Sequence, residues 1–341
     1  MIDNKFMDII MNYEETKPIY NLLYLAKPVY GGWVTFTAHL SKKYNYPIFK
    51  ISKRSEKNKR EFGYDCQYQN LELKDILQKP NLLITAVDKH YWRYLQYFSK
   101  NTKLVIHDPT EVKMSKQGNP LVQETDIGNK LLTNFYILTI RESVRNYLFE
   151  NYKIHSEFKR HPFYKYNKNK NQLGYKNVSI SRIDFDKNTD IILKANMNIS
   201  DKKKHIYCFG AENRLYVHHK LGDLNFEEYW KGKFKKTFEP NYEEKSILEG
   251  AEYMIDLSVI KKDGGGTQYT FLEAIYRDCV LILHKEWINK GNLFKDRYNC
   301  IAVSNELELA KIINQGIDKQ EYNKILKNSK SILDNHINIE W

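Results

Sequence analysis

The chain has 341 residues, enough for two domains with cores of their own, and its 42% hydrophobic and 28% charged content excludes a disordered or fibrous protein. No apolar run approaches the ~18–20 residues that span a bilayer, and Cys66, Cys208, Cys279 and Cys300 form no Cys-x-x-Cys pair, so neither a zinc cluster nor a disulfide framework is expected. The net charge of +12 is uneven: residues 1–165 carry 26 Lys/Arg against 17 Asp/Glu, the remainder 28 against 25.

A basic front half favours a polyanionic partner on that side. An ordinary solvated surface, in a chain whose abundant Lys, Asn, Ile and Tyr suit an A/T-rich genome, accounts for the same excess. The opening MIDNKFMDIIMNYEETK has neither the basic stretch nor the long apolar stretch of a secretion signal, so a soluble protein of a reducing, cytoplasmic compartment is expected.

In chain order, IYNLLYLA (19–26) reads as a first strand and GGWVTFTAHLSKKY (31–44) as a glycine turn opening a helix. YPIFKIS (46–52), NLLITAV (81–87), KLVIH (103–107) and FYILTI (135–140) read as further strands, and RESVRNYLFENY (141–152) as a helix. Short apolar runs alternating with helices predict a parallel α/β sheet. The polar, Lys/Asn-rich stretch around 166–176 reads as a linker. The pattern then restarts with strands NVSIS (177–181), HIYCFGA (205–211), YMIDLSV (253–259), VLILH (280–284) and NCIAV (299–303). Helices are predicted near 187–196, 243–250 and 268–277, and a last one in 321–341. The prediction is two Rossmann-like domains, 1–165 and 177–320, facing a cleft, with the C-terminal helix packing back toward the cleft or front domain. Ligands of such sheets bind beyond the carboxyl ends of the strands.

Gly264, Gly265 and Gly266 expose backbone N–H groups just before a helix begins near Thr267, Gln268, Tyr269 and Thr270. Loop and helix end together suit an anion such as a phosphate; a flexible connector is the plainer reading. Glu273 lies one turn into that helix. It could accept hydrogen bonds from a ribose diol, or complete a Thr270-x-x-Glu273 capping box. Arg182 and Lys187 follow the first strand of the second half, where they could meet a departing diphosphate or simply face solvent. In VIHDPTEV (105–112), His107, Asp108 and Glu111 end a strand. They could position an acceptor hydroxyl, although Asp108-Pro109 also forms turns. The Gly31–Gly32 turn opens toward the same cleft.

Together these motifs resemble the GT-B glycosyltransferases that use nucleotide sugars, and within them the phage DNA α-glucosyltransferases, over nearly the whole chain. YGGWVTF, IHDPTEV and YTFLEAI carry the likeness in order and spacing. The retaining members' E-x7-E element is incomplete, because Gly265 stands at the first Glu position and Asp263 is the nearest acid. The resemblance implies a UDP-sugar donor, UDP-glucose foremost, held without an obligatory metal. Gly264–Thr267, Arg182 and Lys187 would take the diphosphate, Glu273 the ribose, Gly210 and Phe238 the uracil, and Gly31 and Gly32 the sugar. Transfer would retain anomeric configuration, with His107 and Asp108 serving the acceptor. A hydroxymethylated base in double-stranded DNA is the implied acceptor, with Lys53, Arg54, Lys57, Lys59 and Arg60 meeting its phosphates. A cell-surface polysaccharide or lipid-linked glycan is the enzymatic alternative, and a non-catalytic nucleic-acid-binding protein the alternative of another class.

Overall fold

A computed structural model of the chain describes residues 18–52, 62–109, 111–112, 132–236, 238–260, 266–289 and 293–341. Strands β1 (Asn21–Leu25), β2 (Ile48–Ile51), β3 (Tyr68–Leu71), β4 (Leu82–Val87), β5 (Lys103–Ile106), β6 (Tyr136–Thr139) and β7 (Glu157–Phe158) form one parallel sheet, in the order β3-β2-β1-β4-β5-β6-β7. Its central strands are apolar without alternation because both faces are covered: every residue of β4 is buried. Helix α1 (Gly32–Tyr44) follows β1 and α3 (Glu142–Tyr152) follows β6, with the short α2 (Leu73–Leu77) after β3.

Strands β8 (Asn177–Ile180), β9 (Ile206–Phe209), β13 (Tyr253–Asp256), β14 (Val280–His284) and β15 (Ile301–Val303) form a second parallel sheet, in the order β15-β14-β13-β8-β9. Helix α4 (Thr189–Met197) follows β8, α5 (Tyr269–Tyr276) follows β13, and α6 (Glu306–Gln315) follows β15. In each sheet the strand order reverses once, between β1 and β4 in front and between β8 and β13 behind. A crevice opens at such a reversal, beyond the strand ends. The Gly31 turn leaves the front one; residues 181–188 and the segment leading to α5 leave the rear one.

The final helix α7 (Lys319–Ile337) starts on Asp318, whose carboxylate accepts from the N–H groups of Gln320 and Glu321. It packs against α5 of the rear lobe. The tail beyond it crosses to the front lobe: Ile339 O accepts from Lys43 Nζ at 2.7 Å, and the Trp341 ring stands edge-on to Phe36 at 5.1 Å. One buried apolar cluster includes Tyr24, Phe36 and Leu83 of the front sheet layer and Met254, Phe271 and Leu281 of the rear one.

The helix predicted at 243–250 is not formed. A three-stranded antiparallel ribbon stands there instead, made by β10 (Lys235–Lys236), β11 (Pro240–Tyr242) and β12 (Lys245–Ser246). Glu243 and Glu244 take φ of 50° and 62°, the left-handed pair that closes a two-residue hairpin and that no helix interior contains.

Candidate functional site

The front wall of the crevice is built on the turn between β1 and α1. Gly31 has φ 99°, which a side chain would strain, and a Cβ on Gly31 or Gly32 would meet nothing within 4 Å. The turn therefore faces open space. Its next residue, Trp33, donates its indole N–H to Glu111 Oε1 at 2.6 Å, while Glu111 Oε2 accepts from the His107 backbone N–H at 3.1 Å. One buried carboxyl group thus ties the glycine turn to the end of β5. Burial pushes Glu111 up to about 8 and His107 down to about 4. The neutral His107 donates Nε2–H to the Thr85 carbonyl at 2.7 Å, which leaves Nδ1 as the unprotonated nitrogen. Asp108 sits at the surface of this cluster, 3.9 Å from the Arg141 guanidinium.

The rear wall is α5 and the residues entering it. Thr267 faces His336 of α7, Oγ1 to Nε2 at 3.2 Å, and His336 Nδ1 donates to the His161 carbonyl at 2.6 Å. Since a carbonyl only accepts, Nδ1 carries the proton and Nε2 takes the Thr267 hydroxyl hydrogen. Burial keeps this imidazole neutral, pulling it down to about 4. The Tyr269 ring stacks on His39 of α1 at 4.5 Å, and its hydroxyl donates to Pro162 O. This pairing brings the two lobes together beside the helix end.

Glu273 is 2% exposed. The capping-box reading fails, because α5 begins one residue before Thr270, with Gln268 at the N-cap and no side-chain cap bond. Oε2 of Glu273 has no hydrogen-bond partner among the described residues. Burial pushes its carboxyl up to about 8, against the pull of Lys236 on the ribbon and with the push of Glu239. Tyr64, Tyr166 and Tyr269 feel the same charge. One turn later, the buried Arg277 binds Glu239 and Glu249 together and donates to Asn169 O at 2.8 Å, fixing the floor beneath Glu273. Lys236 and Tyr64 were not among the sequence candidates, and only the folded chain places them here.

Arg141, at the N-cap of α3, also escaped the sequence reading. A Cβ on Gly266 would lie 3.5 Å from its Cγ and 3.8 Å from its Nε, so this front-lobe side chain borders the space beside the last glycine before α5. The rule that chemistry gathers at strand ends would have found it, since β6 ends two residues earlier. Gly264 and Gly265 lie outside the described residues, as do Lys53, Arg54, Lys57, Lys59 and Arg60.

Arg182 is an exposed side chain held by Asp184 at 3.1 Å and Asp186 at 3.7 Å. Lys187 closes the same turn, its N–H donating to Asp184 O. The turn is sewn to the exit of β13 by Asn188 Nδ2 to Leu257 O at 2.9 Å and Val259 N–H to Asp186 O at 3.0 Å. Two further candidates, Gly210 and Phe238, already have partners within the protein. The Gly210 N–H is taken by Gly232 O and its carbonyl accepts from Trp230 Nε1, so its main chain is already engaged. Phe238 is interior, packed against His39, Tyr64, Tyr164 and Tyr166 rather than lining an opening.

Two parallel sheets whose reversals face one crevice, bridged by a returning C-terminal helix, define the GT-B glycosyltransferase fold. The resemblances to solved structures agree. Anabaena HepE in complex with UDP-glucose matches with a TM-score of 0.62 at 12% identity, over 93% of this chain and 95% of that one. A glycosyltransferase from Rickettsia africae matches at 0.56 and 13% identity, over 94% of each chain. T4 phage BGT in complex with its UDP-glucose substrate matches at 0.53 and 13% identity, over 92% and 94%. No protein-family model matches the sequence, and no curated protein is similar to it. Among the described residues no helix is long and apolar enough to cross a membrane.

Proposed function

We propose that the protein transfers a hexose, glucose foremost, from a UDP-sugar to an acceptor hydroxyl with retention of configuration. The observation that carries this reading is Glu273: a nine-tenths-buried carboxyl group one turn inside the helix that opens the rear crevice, with one oxygen unpartnered among the described residues. A buried acceptor without a donor is costly, and a ribose diol supplies two donors. The N-terminus of α5 carries about half a positive charge for the diphosphate, supported by Arg182 and Lys187. These groups stabilise charge on the leaving phosphate, so the reading needs no metal. The sugar would occupy the open space before Gly31 and Gly32. His107, neutral with Nδ1 unprotonated, and Asp108 would serve the acceptor hydroxyl.

The acceptor we propose is a hydroxymethylated base in double-stranded DNA, which must leave the stack to react. The basic residues Lys53, Arg54, Lys57, Lys59 and Arg60 would grip phosphates without reading sequence. Incubation with radiolabelled UDP-glucose and hydroxymethylated DNA, with unmodified DNA and water as competing acceptors, tests both parts. Label in the modified DNA supports the whole reading. Release of free glucose with unlabelled DNA keeps the sugar chemistry and rejects the acceptor in favour of a glycan. No turnover and no UDP binding rejects the enzyme. DNA binding that does not weaken as salt rises would also reject the DNA acceptor.

A further inference from the structure

We infer that His336 of α7 is a positioning residue for the donor seat: it ties the Thr267 hydroxyl to the front lobe and so fixes the main chain that enters α5 for the donor diphosphate. This role rests on the donor reading above and adds to it a residue that acts through Thr267 rather than on the nucleotide.

The entry of α5 is not fixed from within. Gln268 stands at its N-cap without a side-chain cap bond, although a helix start leaves its first N–H groups without intrahelical partners. Two outside contacts do the fixing. The Thr267 hydroxyl donates to His336 Nε2 at 3.2 Å, and the Tyr269 hydroxyl donates to the Pro162 carbonyl at 2.9 Å. Both partners of the first bond are buried, at 9% and 3% exposure, where water does not readily replace a lost hydrogen bond.

His336 is itself clamped to the front lobe. Its Nδ1–H donates to the His161 carbonyl at 2.6 Å, and its own carbonyl accepts from the Phe163 N–H at 2.9 Å. On the neighbouring residues, Trp341 Nε1–H donates to the Arg160 carbonyl at 2.9 Å and Tyr269 takes Pro162. Consecutive front-lobe carbonyls from Arg160 to Pro162 thus each receive a hydrogen bond from a rear or C-terminal side chain. Of those side chains, His336 is the one that also bonds the Thr267 hydroxyl. One tautomer serves both ends: Nδ1 carries the hydrogen for the carbonyl, which leaves Nε2 to accept from the threonine.

The consequence falls on the main chain of Thr267. Its hydroxyl hydrogen is given to His336, while its backbone N–H has no partner among the described residues and stays available to a ligand. Main-chain recognition of a phosphate needs the peptide held to within about 0.5 Å, whereas helix ends left to themselves fray. His336 supplies the constraint by tying this peptide, through α7, to the front lobe. Glu273, one turn into the same helix with an oxygen unpartnered among the described residues, is the independent mark of a ligand at this end of α5.

The test is isothermal titration calorimetry of the full chain with UDP and uridine, on variants that separate the two bonds of the imidazole. An asparagine amide reaches about where Nδ1 lies, and a glutamine amide about where Nε2 lies. His336→Asn therefore keeps the bond to His161 and loses the one to Thr267; UDP affinity should fall about tenfold, with uridine unchanged. His336→Gln keeps an acceptor for Thr267 and should retain most of the UDP affinity. Thr267→Val removes the same bond from the other side, so adding His336→Asn to it should cost nothing more. A merely structural role would weaken UDP and uridine alike, weaken both His336 variants equally, or multiply the losses in the double variant. Any of these overturns the proposal, as does undiminished UDP binding in His336→Asn. Should His336→Asn not fold, nitrogen NMR of the wild-type imidazole decides. An Nε2 that stays unprotonated and hydrogen-bonded when UDP is added supports the assignment; an Nε2 that loses its bond to Thr267 overturns it. Wild-type protein that binds no UDP overturns the donor reading itself, a result distinct from a wild type that binds UDP independently of His336.

Discussion

Glu273→Gln should change how stability depends on pH, in a direction fixed by burial. Glu273 is 2% exposed, and its folded pKa is raised from 4.5 to about 8. Between those values the folded protein holds a proton that the unfolded chain has lost. Stability therefore falls as pH rises through the window, and the full cost of ionisation is present above about 8. Every tenfold change in proton affinity corresponds to about 1.4 kcal/mol, so the gap between the two values would sum to several kcal/mol. Relaxation around a buried charge recovers part of this, so we expect an effect of about 2 kcal/mol. A glutamine does not titrate. Its own unpaired amide costs the same at every pH and cancels when two pH values are compared. Lys236, whose ammonium is pulled down by burial and held up by Glu273, reinforces the sign, because losing its partner makes the variant favour high pH further. Urea unfolding at pH 5 and pH 8 should show the variant gaining about 2 kcal/mol on wild type between the two. An identical difference at both pH values, or a loss at pH 8, would refute the placement of this carboxyl group in a desolvated interior.

Three further outcomes follow from other contacts. Arg277→Met strands Glu239 and Glu249, which now share its guanidinium, and should cost about 3–5 kcal/mol in chemical denaturation at pH 7. Trp33→Phe keeps an aromatic group, smaller than the indole, but removes the 2.6 Å bond to buried Glu111; we expect a loss of about 1–3 kcal/mol and slower sugar transfer with unchanged UDP affinity. Gly210→Ala would push a methyl to 1.7 Å from the Ser181 carbonyl oxygen, and should lower stability by at least about 1–3 kcal/mol, seen as a drop in Tm.

The parallel core was legible because both faces of its strands are covered. LLITAV and VLILH are apolar apart from Thr85 and the terminal His284, and a run of that kind between helical stretches has few other uses. Strand β3, with the sequence YQNL, carries no such signal, because its outer residues face solvent at the sheet edge. The ribbon at 235–246 is not legible, because its structure depends on two glutamates in left-handed conformation, a choice that propensity does not favour. At the site, Glu273 could be picked out because it follows a glycine run, but local sequence could not separate a capping from a buried role. That depended on the helix starting one residue before Thr270. Lys236 reaches the crevice from a ribbon, so only tertiary placement reveals it, whereas Arg141 lies two residues past the end of β6, where attention to strand ends would have found it. Gly210 and Phe238 were assigned by motif position, and the contacts of Trp230 and His39 show both to be engaged elsewhere.

The most direct measurement is a crystal structure of the protein soaked with UDP. The account requires the diphosphate over Gly266 and the first turn of α5, with a ribose hydroxyl on Glu273 in hydrogen-bond range. Nucleotide density at another place, or saturating UDP that leaves this helix end and Glu273 without a ligand, would contradict it.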